Sequence, residues 1–249
     1  MTRRAELISV YRRIGRTYVR WGPSLTLLAL VVFVPVSLVH AITVEAEIGS
    51  FDVDGGLELL AIVGAVAALA ITGLVGEIFY TGAVAISLTH PREGDRPPTL
   101  RQIARLVNYG PLIAIDLIYG TLIAVGLIAF FVPGILVFVW LGLAAPVVEI
   151  EHRGVRAALA RSVHLVRGKA LLVAAVLIPI EIVGNTVTGL ASRFTHSIFG
   201  SELICEWLAD VLSNVAFTPF YAIAAVLLAV DRIREKDGGG VELHSEPVS

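Results

Sequence analysis

Two carboxylates lie deep in apolar stretches, where an ionised side chain is expensive: Glu181 and Asp116. Glu181 is the stronger candidate for chemistry. It follows Ala170 by eleven residues, about 16 Å along a helix at ~1.5 Å per residue, which is near the middle of a bilayer core about 30 Å thick. Asn185, Thr188 and Ser192 continue from it at spacings of four, three and four. Such spacing stacks side chains on one helical face. Tyr119 accompanies Asp116, and Asn214, Thr218 and Tyr221 make a similar stripe further on. In a membrane these groups can bind a proton or guide a polar solute. They can equally hydrogen-bond between helices and set the packing. No Lys or Arg lies at that depth to neutralise Glu181 or Asp116, so a proton is the available counter-charge. Glu77, Glu149 and Glu151 read as interfacial instead, pairing with loop arginines such as Arg153 or Arg156.

The elements that position these groups are membrane helices. Of 249 residues, 56% are hydrophobic and 16% charged, against roughly 25% charged in soluble domains. About six apolar stretches approach the ~20 residues needed to cross a bilayer: residues 23–42, 57–89, 107–131, 135–148, 170–191 and 211–230. The fourth is the shortest. The second is longer than needed and projects past the bilayer, with Gly64, Ala68, Thr72 and Gly76 forming a smooth face for helix contact. The reading is therefore an all-α polytopic membrane protein. A single bundle covers 1–237, and a polar, glycine-rich tail, 238–249, is expected to be disordered.

Charge sets the threading. The chain has 19 Lys and Arg residues, and all except Arg193 fall in alternate gaps between spans. Basic gaps stay in the cytoplasm, which places both ends inside a cytoplasmic membrane. Residues 43–56 carry Glu45, Glu47, Asp52 and Asp54 and no base, so they read as outside, as does the connection 192–210. Two amphipathic segments, 1–22 and 151–169, are expected to lie in the inner headgroup layer. The second presents Arg153, Arg156, Arg161, Arg167 and Lys169 as candidate contacts for anionic lipid headgroups. The first, long and amphipathic, is unlike the short basic start of a cleaved signal peptide. Thr99 and Gln102, after Pro97 and Pro98, match a capping box that starts a helix at Leu100. Residues 132–134, Val-Pro-Gly, read as a tight outer turn.

Residues 133–168 carry a recognisable pattern. Pro133 and Gly134 enter a span, and Pro146 stands near its inner end. Glu151 comes five residues later, followed by Ala158, Leu159, Arg161, Ser162, Leu165 and Gly168. The pattern resembles the membrane domain of the glycerophosphoryl diester phosphodiesterase family. That resemblance implies a polytopic membrane module, sometimes fused to a phosphodiesterase domain, with no established activity of its own. His152-Arg153-Gly154 spells the tripeptide that opens the family's catalytic barrel. Here it stands between a span and an amphipathic helix, without the further motifs or the roughly 250 residues such a barrel needs.

Other function classes have little to support them. A single cysteine, Cys205, excludes an intramolecular disulfide and any multi-thiolate metal site. His40, His90, His152, His164, His196 and His244 are scattered, and no phosphate loop, G-x-S-x-G or H-E-x-x-H occurs. No dedicated basic domain supports nucleic-acid binding. No cofactor or metal is expected. The expected function is a non-enzymatic anchoring, scaffolding or regulatory module contacting anionic lipid, with a possible membrane-protein partner. The alternative is a small transporter or permease with a polar intramembrane path through Glu181 and Asp116. The threading has a direct test. With Cys205 replaced, a thiol engineered between Ile42 and Leu57 should react with an impermeant reagent in intact cells, and one near Pro97 should not. The reverse pattern would invert the topology.

Overall fold

The computed structural model describes residues 3–45, 76–89, 98–129, 131–199 and 203–238. Among them every regular element is a helix: α1 (Arg3–Glu45), α2 (Glu77–Thr89), α3 (Leu100–Leu106), α4 (Tyr109–Ala129), α5 (Phe131–Leu141), α6 (Ala144–Glu151), α7 (Val155–Val166), α8 (Ala170–Phe199) and α9 (Leu203–Asp237). Five stretches of the described residues are long and apolar enough to cross a membrane: Arg4–Val39, Tyr109–Gly126, Val132–Glu151, Ala170–Ala191 and Trp207–Asp237. The chain is an all-α polytopic membrane protein. Residues 57–75 of the expected second span, with Gly64, Ala68 and Thr72, lie outside the described residues. So do residues 46–56, the basic loop 90–97, Glu202 and the tail from 239.

The expected first interfacial segment is continuous with the first span. At 43 residues, α1 is about 65 Å long at ~1.5 Å per residue, roughly twice the hydrocarbon thickness. It packs chiefly along α9. Val10, Ile14, Trp21, Leu25 and Leu28 are buried, and Ile8, Arg12, Arg16 and Val19 face away. Tyr18 stacks on Phe220 with ring centroids 4.1 Å apart. Trp207 donates to the Val34 carbonyl at 2.9 Å, and Tyr11 donates to the Ala175 carbonyl of α8 at 3.0 Å.

Short α2 is the centre of the bundle, packed against α9, α6 and α4. Ten of its residues are buried, among them Tyr80, which donates to the Leu25 carbonyl at 3.0 Å. Residues 221–230 of α9 are buried throughout. An apolar helix with no exposed face belongs inside a bundle.

Two expected spans are broken helices, each for a reason written four residues downstream. A proline at position i has no N–H for the carbonyl at i−4, and its ring collides with it. Pro111 thus separates α3 from α4 at residues 107–108. Pro146 separates α5 from α6 at 142–143. The predicted capping box at Thr99 is present: its side chain accepts from the Gln102 N–H, and the Gln102 side chain accepts from the Thr99 N–H at 2.8 Å.

Helices also extend where turns were expected. Residues 132–134 belong to α5, and the connection 192–210, expected outside, shrinks because α8 runs to Phe199 and α9 starts at Leu203. At the α4–α5 hairpin, a Cβ built on Gly126 would meet Gly134 Cα at 2.8 Å. The two backbones touch because neither residue has a side chain. Gly126→Ala should therefore splay the hairpin at a cost of about 1–3 kcal/mol, the usual range for overpacking. Gly189→Ala, where nothing lies within 4 Å of the added carbon, should leave stability unchanged or slightly raised. Reversible denaturation in detergent distinguishes the two.

Candidate functional site

Helix α2 begins inside the bundle, so its first N–H groups need acceptors in a place without water. Gly76 precedes it at φ +97, and a Cβ there would press on Val36 at 3.2 Å. Only glycine suits both the backbone angle and the space. Having no side chain, Gly76 cannot cap the helix itself. Asp116 of α4 does so from outside: its Oδ2 accepts the Gly76 N–H at 2.8 Å. Asp116 is buried, with 6% of its surface exposed. The Ile78 amide faces the same carboxylate, and no hydrogen bond from the described residues reaches Oδ1.

This cap brings acidic and phenolic groups together from four helices. Glu77 lies next to the Asp116 cap and within electrostatic range of Glu181 on α8. Tyr119, one turn after Asp116, and Tyr221 of α9 are buried with their hydroxyls 3.3 Å apart. Both sense Glu77 and Glu181. The Tyr221 hydroxyl lies 3.4 Å from a Cβ built on Gly142, at the α5–α6 break. Phe138 completes the aromatic wall, with its ring centroid 6.3 Å from Tyr119 and 5.9 Å from Tyr221.

Of the predicted polar site, Asp116, Tyr119 and Glu181 share this cluster. Asn185 flanks it and donates to Glu181 Oε1 at 2.7 Å. Asn214 does not join: it donates to the Asp210 carbonyl at 3.0 Å and its Oδ1 accepts from the Thr218 hydroxyl at 3.4 Å, both within α9. Thr188 likewise bonds its own helix, at the Gly184 carbonyl. The residue that sequence reasoning missed is Glu77, expected near the interface because a continuous helix from residue 57 would put it there. The signal was the glycine immediately before it in an apolar run, which marks a possible break.

Glu149 also has a different duty from the one expected. Among the described residues it pairs with no arginine. Its two oxygens accept the Asn108 backbone N–H at 2.9 Å and Asn108 Nδ2 at 3.1 Å, closing the break that Pro111 makes. Ser162 of α7 donates to the Trp140 carbonyl at 2.7 Å, at the end of α5 where the Pro146 break leaves carbonyls without helical partners.

The five candidate lipid contacts divide. Arg161 donates to Glu151 at 2.9 Å and also pairs with Asp237. Burial lowers the affinity of its guanidinium for the proton, but the bonds to Glu151 and Asp237 more than offset this and raise it. Arg153 pairs with Glu151. Lys169 pairs with Glu6 at 2.7 Å and lies 3.8 Å from Glu235. Arg156 and Arg167 are exposed. The His152-Arg153-Gly154 tripeptide is the turn from α6 to α7, with exposed His152 at φ 50. Among the described residues no cluster of three or more His, Cys, Asp and Glu could hold a metal ion.

Fold and site together define a polytopic helical membrane protein with broken helices and a buried carboxylate–tyrosine cluster. No family model, curated protein or solved structure matches the chain. The cap at Asn108 is directly testable. Glu149→Ala leaves the part-buried Asn108 N–H without its acceptor and should cost about 1–3 kcal/mol. Glu149→Gln keeps an accepting oxygen and should lose clearly less in the same denaturation experiment.

Proposed function

We propose that the chain is a non-enzymatic anchoring, scaffolding or regulatory module of the cytoplasmic membrane, with both termini inside and anionic lipid held at its inner face. One observation carries the reading. The amino end of α1, the turn from α7 to α8 and the carboxyl end of α9 are joined at one end of the bundle by the Lys169–Glu6 and Arg161–Asp237 pairs. That end gathers arginines, which by the distribution of positive charge belongs in the cytoplasm. There Arg12, Arg16, Arg156 and Arg167 are exposed, available to phosphate headgroups. The resemblance to the phosphodiesterase-associated membrane domain fits this reading. The residues that carry it have packing and capping duties in this fold: Gly134 against Gly126, Pro146 at a break, Glu151 with Arg161, and Ser162 on Trp140.

The alternative, a small transporter with a polar intramembrane path, is favoured by the interrupted helices beside the carboxylates. Secondary transporters build their binding sites where helices are discontinuous near the midplane.

Lipid retention separates the readings. Protein purified from mixed phosphatidylglycerol and phosphatidylcholine nanodiscs should retain the anionic lipid preferentially. Arg156→Gln or Arg167→Gln should each weaken that preference about fivefold, the equivalent of roughly 1 kcal/mol per surface base. Raised salt should do the same to all variants. Equal retention of both lipids, with solute flux in sealed vesicles, would favour transport instead.

A further inference from the structure

Arg12, Arg16 and Arg20 of α1 recur every four residues, and all three are exposed. That spacing lines them along one side of the helix. Contacts with α8 and α9 fix the level at which they stand. Glu6 accepts from Lys169, immediately before α8, and Tyr11 donates to the Ala175 carbonyl, so α1 and α8 run side by side in the same direction. Glu6 also lies 3.8 Å from Arg232, Tyr18 stacks on Phe220, and Trp207 donates to the Val34 carbonyl. Helix α9 therefore runs antiparallel to α1 over the same length. Past Glu6, α1 accompanies the apolar stretches 170–191 of α8 and 211–230 of α9, neither of which holds a lysine or arginine. Arg12 and Arg16 follow Glu6 by six and ten residues, about 9 and 15 Å at ~1.5 Å per residue, alongside a hydrocarbon core about 30 Å thick.

A guanidinium at that level needs an anion, because its charge is expensive in hydrocarbon and snorkelling carries it only part of the way out. Arg13, half-buried against α9, has one in Asp231 at 2.8 Å. Among the described residues no carboxylate pairs with Arg12 or Arg16. The surface around them is amphiphilic. Ile8 and Val19 of α1 are 59% and 83% exposed. The Glu6–Lys169 pair sets Leu171 and Ile182 of α8 level with them, and both of these are exposed as well. Beside Arg16 the backbone is bare: a Cβ built on Gly15 would meet nothing within 4 Å.

We propose that Arg12 and Arg16 hold the phosphate of an inner-leaflet phospholipid recessed below the headgroup plane, with its acyl chains against Ile8, Val19 and the exposed side of α8. This deepens the reading of an inner lipid-binding face, on which it rests, by giving one lipid a position and a depth. Charge complementarity names the occupant. Phosphate oxygens match the planar donor fork of arginine, and the same molecule carries the apolar chains that the flanking residues require. Drawing the headgroup down thins the inner leaflet beside α1, which is one way a bilayer accommodates arginine.

Electron–nuclear double resonance on a nitroxide attached at Val19→Cys, with Cys205 replaced by serine, tests this. The label stands three residues from Arg16 on the exposed face. The protein is placed in nanodiscs of phosphatidylglycerol and phosphatidylcholine in phosphate-free buffer, so that every ³¹P nucleus belongs to a lipid. The label should couple to ³¹P and be relaxed by oxygen but not by a water-soluble nickel chelate, as a label at Ile182→Cys on α8 should be. Arg12→Gln combined with Arg16→Gln should abolish the coupling. Arg156→Gln combined with Arg167→Gln should leave it intact while weakening overall retention of anionic lipid, so the recessed lipid and the surface lipids are read separately. Three results would overturn the proposal: access of the nickel chelate to the Val19 label, a label in hydrocarbon without ³¹P coupling, or coupling that persists without Arg12 and Arg16. The second is what a carboxylate-bearing helix of another protein would give. The first two are read with both arginines in place, so they decide even if the double variant fails to fold.

Discussion

A backbone N–H or C=O in hydrocarbon has no water to turn to, so every interruption of a membrane helix must be satisfied by the protein itself. Among the described residues, α2 starts within the bundle, and helices are interrupted between α3 and α4 and between α5 and α6. Each of these places is met by a side chain from another helix: Asp116 at Gly76, Glu149 at Asn108 and Ser162 at Trp140. The caps are thus tertiary contacts as well as local ones. They tie α2 to α4, the α3–α4 break to α6, and α5 to α7. A fold with no driving force from water between its helices gains specificity from such bonds.

The same constraint gathers the polar groups. A helix that starts inside the bundle needs an acceptor there, and the carboxylate that supplies it carries charge-bearing chemistry to that depth. Glu77 arrives because it is the first residue of α2. Tyr119 arrives because it lies one turn beyond Asp116. The carboxylate–tyrosine cluster is a consequence of how the central helix is begun.

At the end of the bundle where α1 begins and α9 ends, a second network works by charge. The last turns of α9 are strongly charged, yet they remain helical to Asp237. Asp231 pairs with Arg13 at 2.8 Å, and Asp237 with Arg161. Lys236 donates to the His164 carbonyl and, at 3.4 Å, to that of Arg167, satisfying the end of α7 as a cation at a helix C-terminus does. Buried Arg232 pairs with Glu235 and lies 3.8 Å from Glu6. These pairs hold α1, α7 and α9 together where the membrane no longer does.

Composition alone determined that the chain is an all-helical membrane protein, because sustained apolar runs have no other stable home. The capping box at Thr99 and the prolines behind both helix breaks are visible as letters, since each acts on its own neighbourhood within four residues. The sequence also showed Asp116, Tyr119 and Glu181 as polar groups at membrane depth. Only the tertiary structure decided which of them meet. Asn214 turned to its own helix while Glu77 entered the cluster, and Glu149 took a backbone N–H where an arginine was expected. Those outcomes depend on where a helix begins and how neighbouring helices are rotated. Hydrophobic periodicity cannot express this for spans that are apolar on every side.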